Sequence, residues 1–187
     1  GITTIPKGAF TSCVSLETVV IPRSVTEISD GTDKLGAFQF SGVKDLTLST
    51  NLHTIGSYAF ADCTSLPKVT MADSVIKLGT GVFRNCSALT EVRLSEKLTE
   101  IPTAAFTSCT SLPKIVIPES VKVISDGQIT AGKTGTGAFE GCSSLSEVTL
   151  PKRLEKIGNA AFKKCYSIKD IKLPSAALTY VGNESFA

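Results

Sequence analysis

The sequence predicts a β-dominated solenoid of coils of about 23 residues, not one compact globular core. Three observations carry that prediction. Phe10, Phe38, Phe60, Phe83, Phe106, Phe139, Phe162 and Phe186 are separated by 28, 22, 23, 23, 33, 23 and 24 residues. A 23-residue unit is therefore the period, with insertions of about 5 and 10 residues in two units. Cys13, Cys63, Cys86, Cys109, Cys142 and Cys165 each lie three residues after one of these phenylalanines, so every cysteine occupies one repeat position. Finally, an apolar triplet of the form L-x-x-V-x-L recurs seven times, beginning at Leu16, Val43, Leu66, Leu89, Leu112, Leu145 and Ile168.

Composition agrees and excludes several classes. The 187 residues are 42% hydrophobic and 19% charged, which rules out a disordered chain. A net charge of +2 is too balanced for the electrostatic footprint of a nucleic-acid binder or a polybasic membrane anchor. No apolar run approaches the length of a membrane span, so no direct membrane insertion is expected of this segment. Gly1 to Pro6 contain neither a basic stretch nor a long apolar core, so no signal peptide is read there.

Each element of the coil has a physical reason. Leu89-x-x-Val92-x-Leu94 is the leucine-rich repeat signature, and its alternating pair turns two side chains inward from a short strand. These strands pair in parallel and form the sheet of the concave face. A second extended stretch follows at V-x-x-I, as in Val121 to Ile124, and also turns its apolar pair inward. The G-x-x-A-F-x-x-C segment closes the coil on the convex side as turns or short helical pieces, with the eight phenylalanines stacked as a spine inside it. One coil cannot bury its own apolar face, so each must stack on its neighbours. The unit beginning at Val43 is irregular: it is one residue short after Phe38, carries Ser41 at the cysteine position, and holds Phe40, the one phenylalanine outside the period.

The combination I-P-x-S-V-x-x-I followed by G-x-x-A-F-x-x-C-x-x-L resembles the BspA-type leucine-rich repeats, also called the Treponema pallidum type. Ile117, Pro118, Ser120, Val121 and Ile124 carry its first half, and Gly158, Ala161, Phe162, Cys165 and Ile168 its second. The resemblance covers essentially the whole chain and implies a leucine-rich repeat solenoid of the α/β class: a right-handed curved coil of seven to eight repeats over 1–187. It also implies an extracellular or cell-surface location and a role in adhesion.

The cysteine ladder reads as structural thiols, because a one-per-coil position beside a buried phenylalanine is a packing position. Disulfides are the weaker alternative, since equivalent side chains on stacked coils run parallel instead of facing each other. Zinc is weaker still, because paired C-x-x-C spacing and nearby histidines are missing. Two insertions, near 29–35 and 125–136, interrupt the same point of the coil. Phe10–Gly31 and Phe106–Gly127 agree at 15 of 22 positions, 96 residues apart, which marks a duplicated block of four coils. The longer insertion, rich in Gly and Thr, reads as a protruding loop or hairpin that either carries recognition or is a tolerated ornament.

No catalytic constellation is present, so no enzyme, cofactor or metal is expected. His53 is the only histidine and reads as a solvated coil residue. Ser29-Asp30-Gly31-Thr32-Asp33 lacks the spacing and closing Glu of a calcium loop and reads as a turn. Asn85-Cys86-Ser87 and Asn183-Glu184-Ser185 match the glycosylation sequon, the first across a cysteine expected to be buried.

What remains is a surface. The outward central column of the concave sheet is Val20, Thr47, Thr70, Arg93, Val116, Thr149 and Lys172. Beside it run Thr18, Asp45, Lys68, Glu91, Lys114, Glu147 and Asp170, of mixed sign and without an aromatic anchor. The expectation is a non-enzymatic binding module for a protein or glycan ligand on host or neighbouring cells. The alternative is a structural spacer that presents another domain. The chain starts within one coil and ends within another, which reads as a fragment whose ends fray, pair with a second copy or join further coils.

Overall fold

The structure, a computed structural model, describes residues 1–127 and 136–187. Fourteen short strands lie among the described residues, and none of those residues is helical. They alternate between two lines. The three-residue strands β2 (Thr18–Val20), β4 (Asp45–Thr47), β6 (Lys68–Thr70), β8 (Glu91–Arg93), β10 (Lys114–Val116) and β12 (Glu147–Thr149) form the first line. Two-residue strands form the second: β1 (Thr4–Ile5), β3 (Glu27–Ile28), β5 (Thr54–Ile55), β7 (Lys77–Leu78), β9 (Glu100–Ile101), β11 (Val123–Ile124), β13 (Lys156–Ile157) and β14 (Tyr180–Val181). All pairing is parallel, in register from coil to coil: Thr18 stands beside Asp45, Lys68 beside Glu91 and Lys114 beside Glu147.

The predicted inward pair is where the sequence puts it. In the third coil Leu66, Val69 and Met71 are fully buried between exposed Lys68 and Thr70. Val75 and Leu78 close the same coil from the second line. Six phenylalanines, Phe38 to Phe162, are buried, and all eight stack as one column with ring centroids 4.9 to 5.6 Å apart and planes within 14°. That spacing lies within the range favoured by offset aromatic pairs, so packing and coil pitch reinforce each other. At the two ends of the column, Phe10 and Phe186 remain 39% and 40% exposed.

The wall that carries this column is built from turns. Each of the first seven column phenylalanines donates its N–H to the next coil, as from Phe60 to the Val82 carbonyl and from Phe83 to the Ala105 carbonyl, both at 2.9 Å. Each cysteine N–H returns to its own phenylalanine carbonyl three residues back, as Cys86 does at 3.3 Å. Between them the chain passes through the left-handed region at Ser12, Phe40, Asp62, Asn85, Ser108, Gly141 and Lys164, one residue per coil. Gly, Asn, Asp and Ser recur there because a small or locally hydrogen-bonding side chain tolerates positive φ.

The first line differs from the continuous seven-stranded ladder expected from the sequence. It is hydrogen-bonded as three pairs, β2 with β4, β6 with β8 and β10 with β12, and the second line parts between β7 and β9. Proline accounts for all three open joints. Lys44, Thr90 and Ser146 each donate an N–H to the coil before, but the equivalent positions at the open joints are Pro67 and Pro113. On the second line Ser29, Gly56, Gly79, Ser125, Gly158 and Gly182 make the corresponding bond, and Pro102 stands at that place in the fourth coil. A residue without an N–H cannot make the bridge. In the seventh coil residues 169–173 are not a strand. That coil is one residue longer than its neighbour, 24 against 23 from phenylalanine to phenylalanine, with the extra residue between Pro174 and Leu178.

Both insertions are anchored by one device. Asp30 Oδ1 accepts from the Ser57 N–H at 2.7 Å and its hydroxyl at 2.8 Å. Asp126 Oδ1 accepts from the Asn159 N–H at 3.0 Å, and its other oxygen pairs with Lys156. After each insertion the chain re-enters the wall at Gly36 or Gly137, where a Cβ would stand 1.8 Å from a carbonyl oxygen of the next coil. Only glycine fits that approach. Gln39 and Glu140 then fold back to accept from the Gly36 and Gly137 amides. The tip of the longer insertion, 128–135, expected as a loop or hairpin, lies outside the described residues.

Candidate functional site

The first strand line presents two outward side chains per coil over a buried interior. Thr18, Asp45, Lys68, Glu91, Lys114 and Glu147 precede the inward residue of each strand and are exposed. Val20, Thr47, Thr70, Arg93, Val116 and Thr149 follow it and are exposed as well. Val20 and Val116, from the duplicated coils, are 66% and 59% exposed, so two branched apolar side chains face solvent at four-coil spacing.

The charges on this face are partly engaged with one another. Lys68 and Glu91, side by side in register, form an ion pair at 2.7 Å. Arg93 is turned along the sheet: Nη1 donates to the Met71 carbonyl at 2.7 Å and Nη2 reaches Asp73 at 3.5 Å. Exposed pairs of this kind contribute little to stability, about 0–1 kcal/mol, so their effect is to set local charge. Beyond β12 the sheet opens into a depression of about 670 Å³ that brings together Glu147, Thr149, Asp170 and Lys172 of the two columns with Lys169. The remaining column residues lie on the sheet away from it.

The thiols of the wall are chemically quiet. Cys63, Cys86, Cys109, Cys142 and Cys165 are buried and free, and Cys13 is half-buried and free. Each of the five buried thiols donates to the phenylalanine carbonyl of the preceding coil at 3.1 to 3.2 Å, as from Cys86 Sγ to the Phe60 oxygen. In the second coil Ser41 takes this place and its hydroxyl lies 3.4 Å from Cys63 Sγ. Burial pushes the Cys63 thiol up to about 11 and holds Cys86, Cys109 and Cys142 above their ordinary value. A reactive cysteine needs the opposite environment.

The other sequence candidates resolve into structure. His53 is exposed, and its backbone N–H donates to the Thr26 carbonyl at 2.8 Å. Asp30 of the Ser29–Asp33 stretch caps Ser57 as described, and that hydrogen bonding lowers its carboxyl below the usual range. Asn85 donates its side-chain amide to Asp62 at 2.7 Å, and Cys86 beside it is buried. Among the described residues no group of three metal-ligating side chains comes together. Among the described residues there is no helix long and apolar enough to cross a membrane.

Comparison with known proteins places this geometry in a family. The model of the BspA type leucine-rich repeat region matches residues 34–131 and 128–187, in six copies. The chain is similar to the solved leucine-rich repeat protein of T. pallidum, at 32% identity and a TM-score of 0.76, over 90% of this chain and 72% of that one. A leucine-rich cell surface protein of Faecalibacterium prausnitzii A2-165 is 26% identical with a TM-score of 0.64, over 98% of this chain and 52% of the other. A leucine-rich repeat protein of Bacteroides ovatus shares the fold at 22% identity, with a TM-score of 0.67 over 97% and 49% of the two chains. The chain thus spans about half the length of these last two relatives. No curated protein matches it. With six copies of the repeat model laid along most of its length, and the phenylalanine and cysteine columns beneath them, the chain belongs to the BspA-type leucine-rich repeat family.

Proposed function

We propose that this chain is a non-enzymatic binding module of a cell-surface protein, engaging a protein or glycan ligand on host or neighbouring cells through its first strand line. The carrying observation is the contrast within each strand: an inward residue that is always aliphatic lies between two outward residues that change from coil to coil. Stacked repeats turn such positions into an extended contact surface without altering the core. The surface assignment is supported by the F. prausnitzii relative, which is described as a cell surface protein.

The test is a binding assay against immobilised extracellular-matrix proteins and glycans. Saturable binding should be lost in the double variant Val116→Glu, Lys172→Glu while its melting temperature stays within about 2 °C of the parent, because surface substitutions cost little. Binding that survives both changes moves the contact off this face. The absence of an aromatic from either column favours the spacer reading, which predicts no saturable binding at all.

A further inference from the structure

We propose that a groove at the shortened second coil is a docking site for an arginine side chain of a protein partner. It lies off the strand face, at the corner between the turn wall and the first strand line, and rests on separate observations. In the other coils two residues separate the cysteine from the following aliphatic residue, as Thr64 and Ser65 do in the third. The second coil has only Gly42 between Ser41 and Val43. The missing residue leaves a groove of about 460 Å³ between the flanking coils, with Val14 on one side, Thr64 and Ser65 on the other, and Gly42 at its floor. A Cβ on Gly42 would stand 2.0 Å from the Val14 carbonyl oxygen, so the backbone sinks to a depth that only glycine permits.

The side chains lining this groove are not those the repeat needs. At the left-handed position between the column phenylalanine and the cysteine the other coils hold Ser12, Asp62, Asn85, Ser108, Gly141 and Lys164, whereas the second holds Phe40 at φ 59°. A bulky aromatic is a poor occupant of that region. Nor does burial offset the strain: Phe40 is 43% exposed and Val14 is 72% exposed. Strain without packing reward is the mark of a residue kept for contact with something else.

Asp62 sits one coil along at the equivalent position and also lines the groove. Its carboxylate accepts from Asn85 Nδ2 at 2.7 Å and from Gln39 Nε2 at 3.0 Å, both neutral amides. Among the described residues no ion pair reaches it. Two amides fix its plane, and about two acceptor positions remain open on a carboxylate so bonded. An exposed aromatic ring beside an oriented, unneutralised carboxylate is complementary to a planar cation. Guanidinium stacks on the one and fork-bonds the other, which an ammonium cannot do as well.

The experiment is an NMR titration of the ¹⁵N-labelled chain with acetyl-Gly-Arg-Gly-amide, using the glutamine tripeptide as the neutral control. The arginine peptide should give saturating shifts confined to amides around 14, 40–42 and 62–65. Phe40→Asn should weaken its affinity at least about fivefold while leaving the melting temperature unchanged or higher, since asparagine tolerates the left-handed region. Asp62→Asn should weaken it similarly, and Phe40→Asn decides the matter if Asp62→Asn disturbs the wall. The proposal is overturned by equal shifts with the glutamine peptide, by shifts that map to the strand face, by full affinity in Phe40→Asn, or by no shifts at millimolar peptide.

Discussion

The turn wall and the first strand line run the length of the same molecule and are written by different rules. On the wall the same side chains recur: eight phenylalanines stack in one column, and a cysteine follows three residues after six of the first seven, the second coil holding Ser41 instead. On the strand line the inward residue stays aliphatic, but the outward one passes from valine through threonine and arginine to lysine. The difference shows where each coil meets its neighbours. A buried column permits almost no variation because each of its six inner rings is packed by two others, while a strand's outward side chain meets solvent on one side. Repetition therefore reports on cohesion, and variation marks the surface open to specialisation.

The sharpest way to break this contrast is to delete one ring. Phe106→Ala should cost about 3–5 kcal/mol, because a fully buried aromatic leaves a cavity between two rings. Phe10→Ala, at the partly exposed end of the column, should cost clearly less, and Val116→Ala on the strand line no more than about 0.5 kcal/mol. Denaturant unfolding of the three variants checks the order. Equal costs for Phe106→Ala and Val116→Ala would erase the distinction.

Alkaline pH tests the wall a second way. The buried thiols have folded-state pKa values raised above the unfolded value, so they stay protonated while unfolded thiols ionise. Stability is thus fully present below about pH 9 and falls as pH rises, through about 11 for Cys63. Each such thiol steepens the decline by up to about 1.4 kcal/mol per pH unit. Melting temperatures from pH 8 to 10.5 should fall less steeply in Cys86→Ser than in the parent. Serine already fills the cysteine place at Ser41, so at pH 7 that variant should lose only about 1–2 kcal/mol.

Smaller effects come from the insertion anchors and the proline joints. Asp126→Ala should cost about 1 kcal/mol and speed hydrogen exchange at the Asn159 amide, with Asp30→Ala doing the same at Ser57. Both carboxyls are held below the usual range: Asp126 first by its hydrogen bond to Lys156, Asp30 first by the Ser57 amide. Their contribution is therefore present at neutral pH and fades as pH falls below about 4, where unfolded carboxylates take up protons. Smallest of all, Pro67→Ser restores a donor at an open joint, but the gain is offset by a freer unfolded chain, so stability should move by less than about 1 kcal/mol. Slow exchange of the new amide would show that the joint has closed.

Period, strand placement and inward residues were legible because burial forces one residue type at each of those places. Open joints were harder to see. Pro67, Pro102 and Pro113 carry their meaning only once it is known which N–H bridges coils at those positions, and the repeat tolerates proline there because packing holds the strand without that bond. The strand absent at 169–173 was not legible, because Ile168, Ile171 and Leu173 keep the L-x-x-V-x-L pattern intact and the added residue lies beyond it, between Pro174 and Leu178. Arg93 is an exposed basic residue in sequence terms, and nothing in the motif shows that its guanidinium is turned back onto Met71 and Asp73. Phe40 stood out from the period at once, but its exposure and left-handed backbone depend on how the second coil closes.

The three proline joints are distributed in a way that bears on how the molecule comes apart. Where β4 and β6 lack their bridge, β5 and β7 are hydrogen-bonded across the same boundary; where β8 and β10 lack theirs, β9 and β11 are joined. At the boundary where β7 and β9 part, β6 and β8 are paired. The seams are staggered, so no plane through the solenoid crosses two open joints. A pulling force or an advancing unfolding front meets at least one intact ladder at every proline boundary, and the phenylalanine column runs through all three.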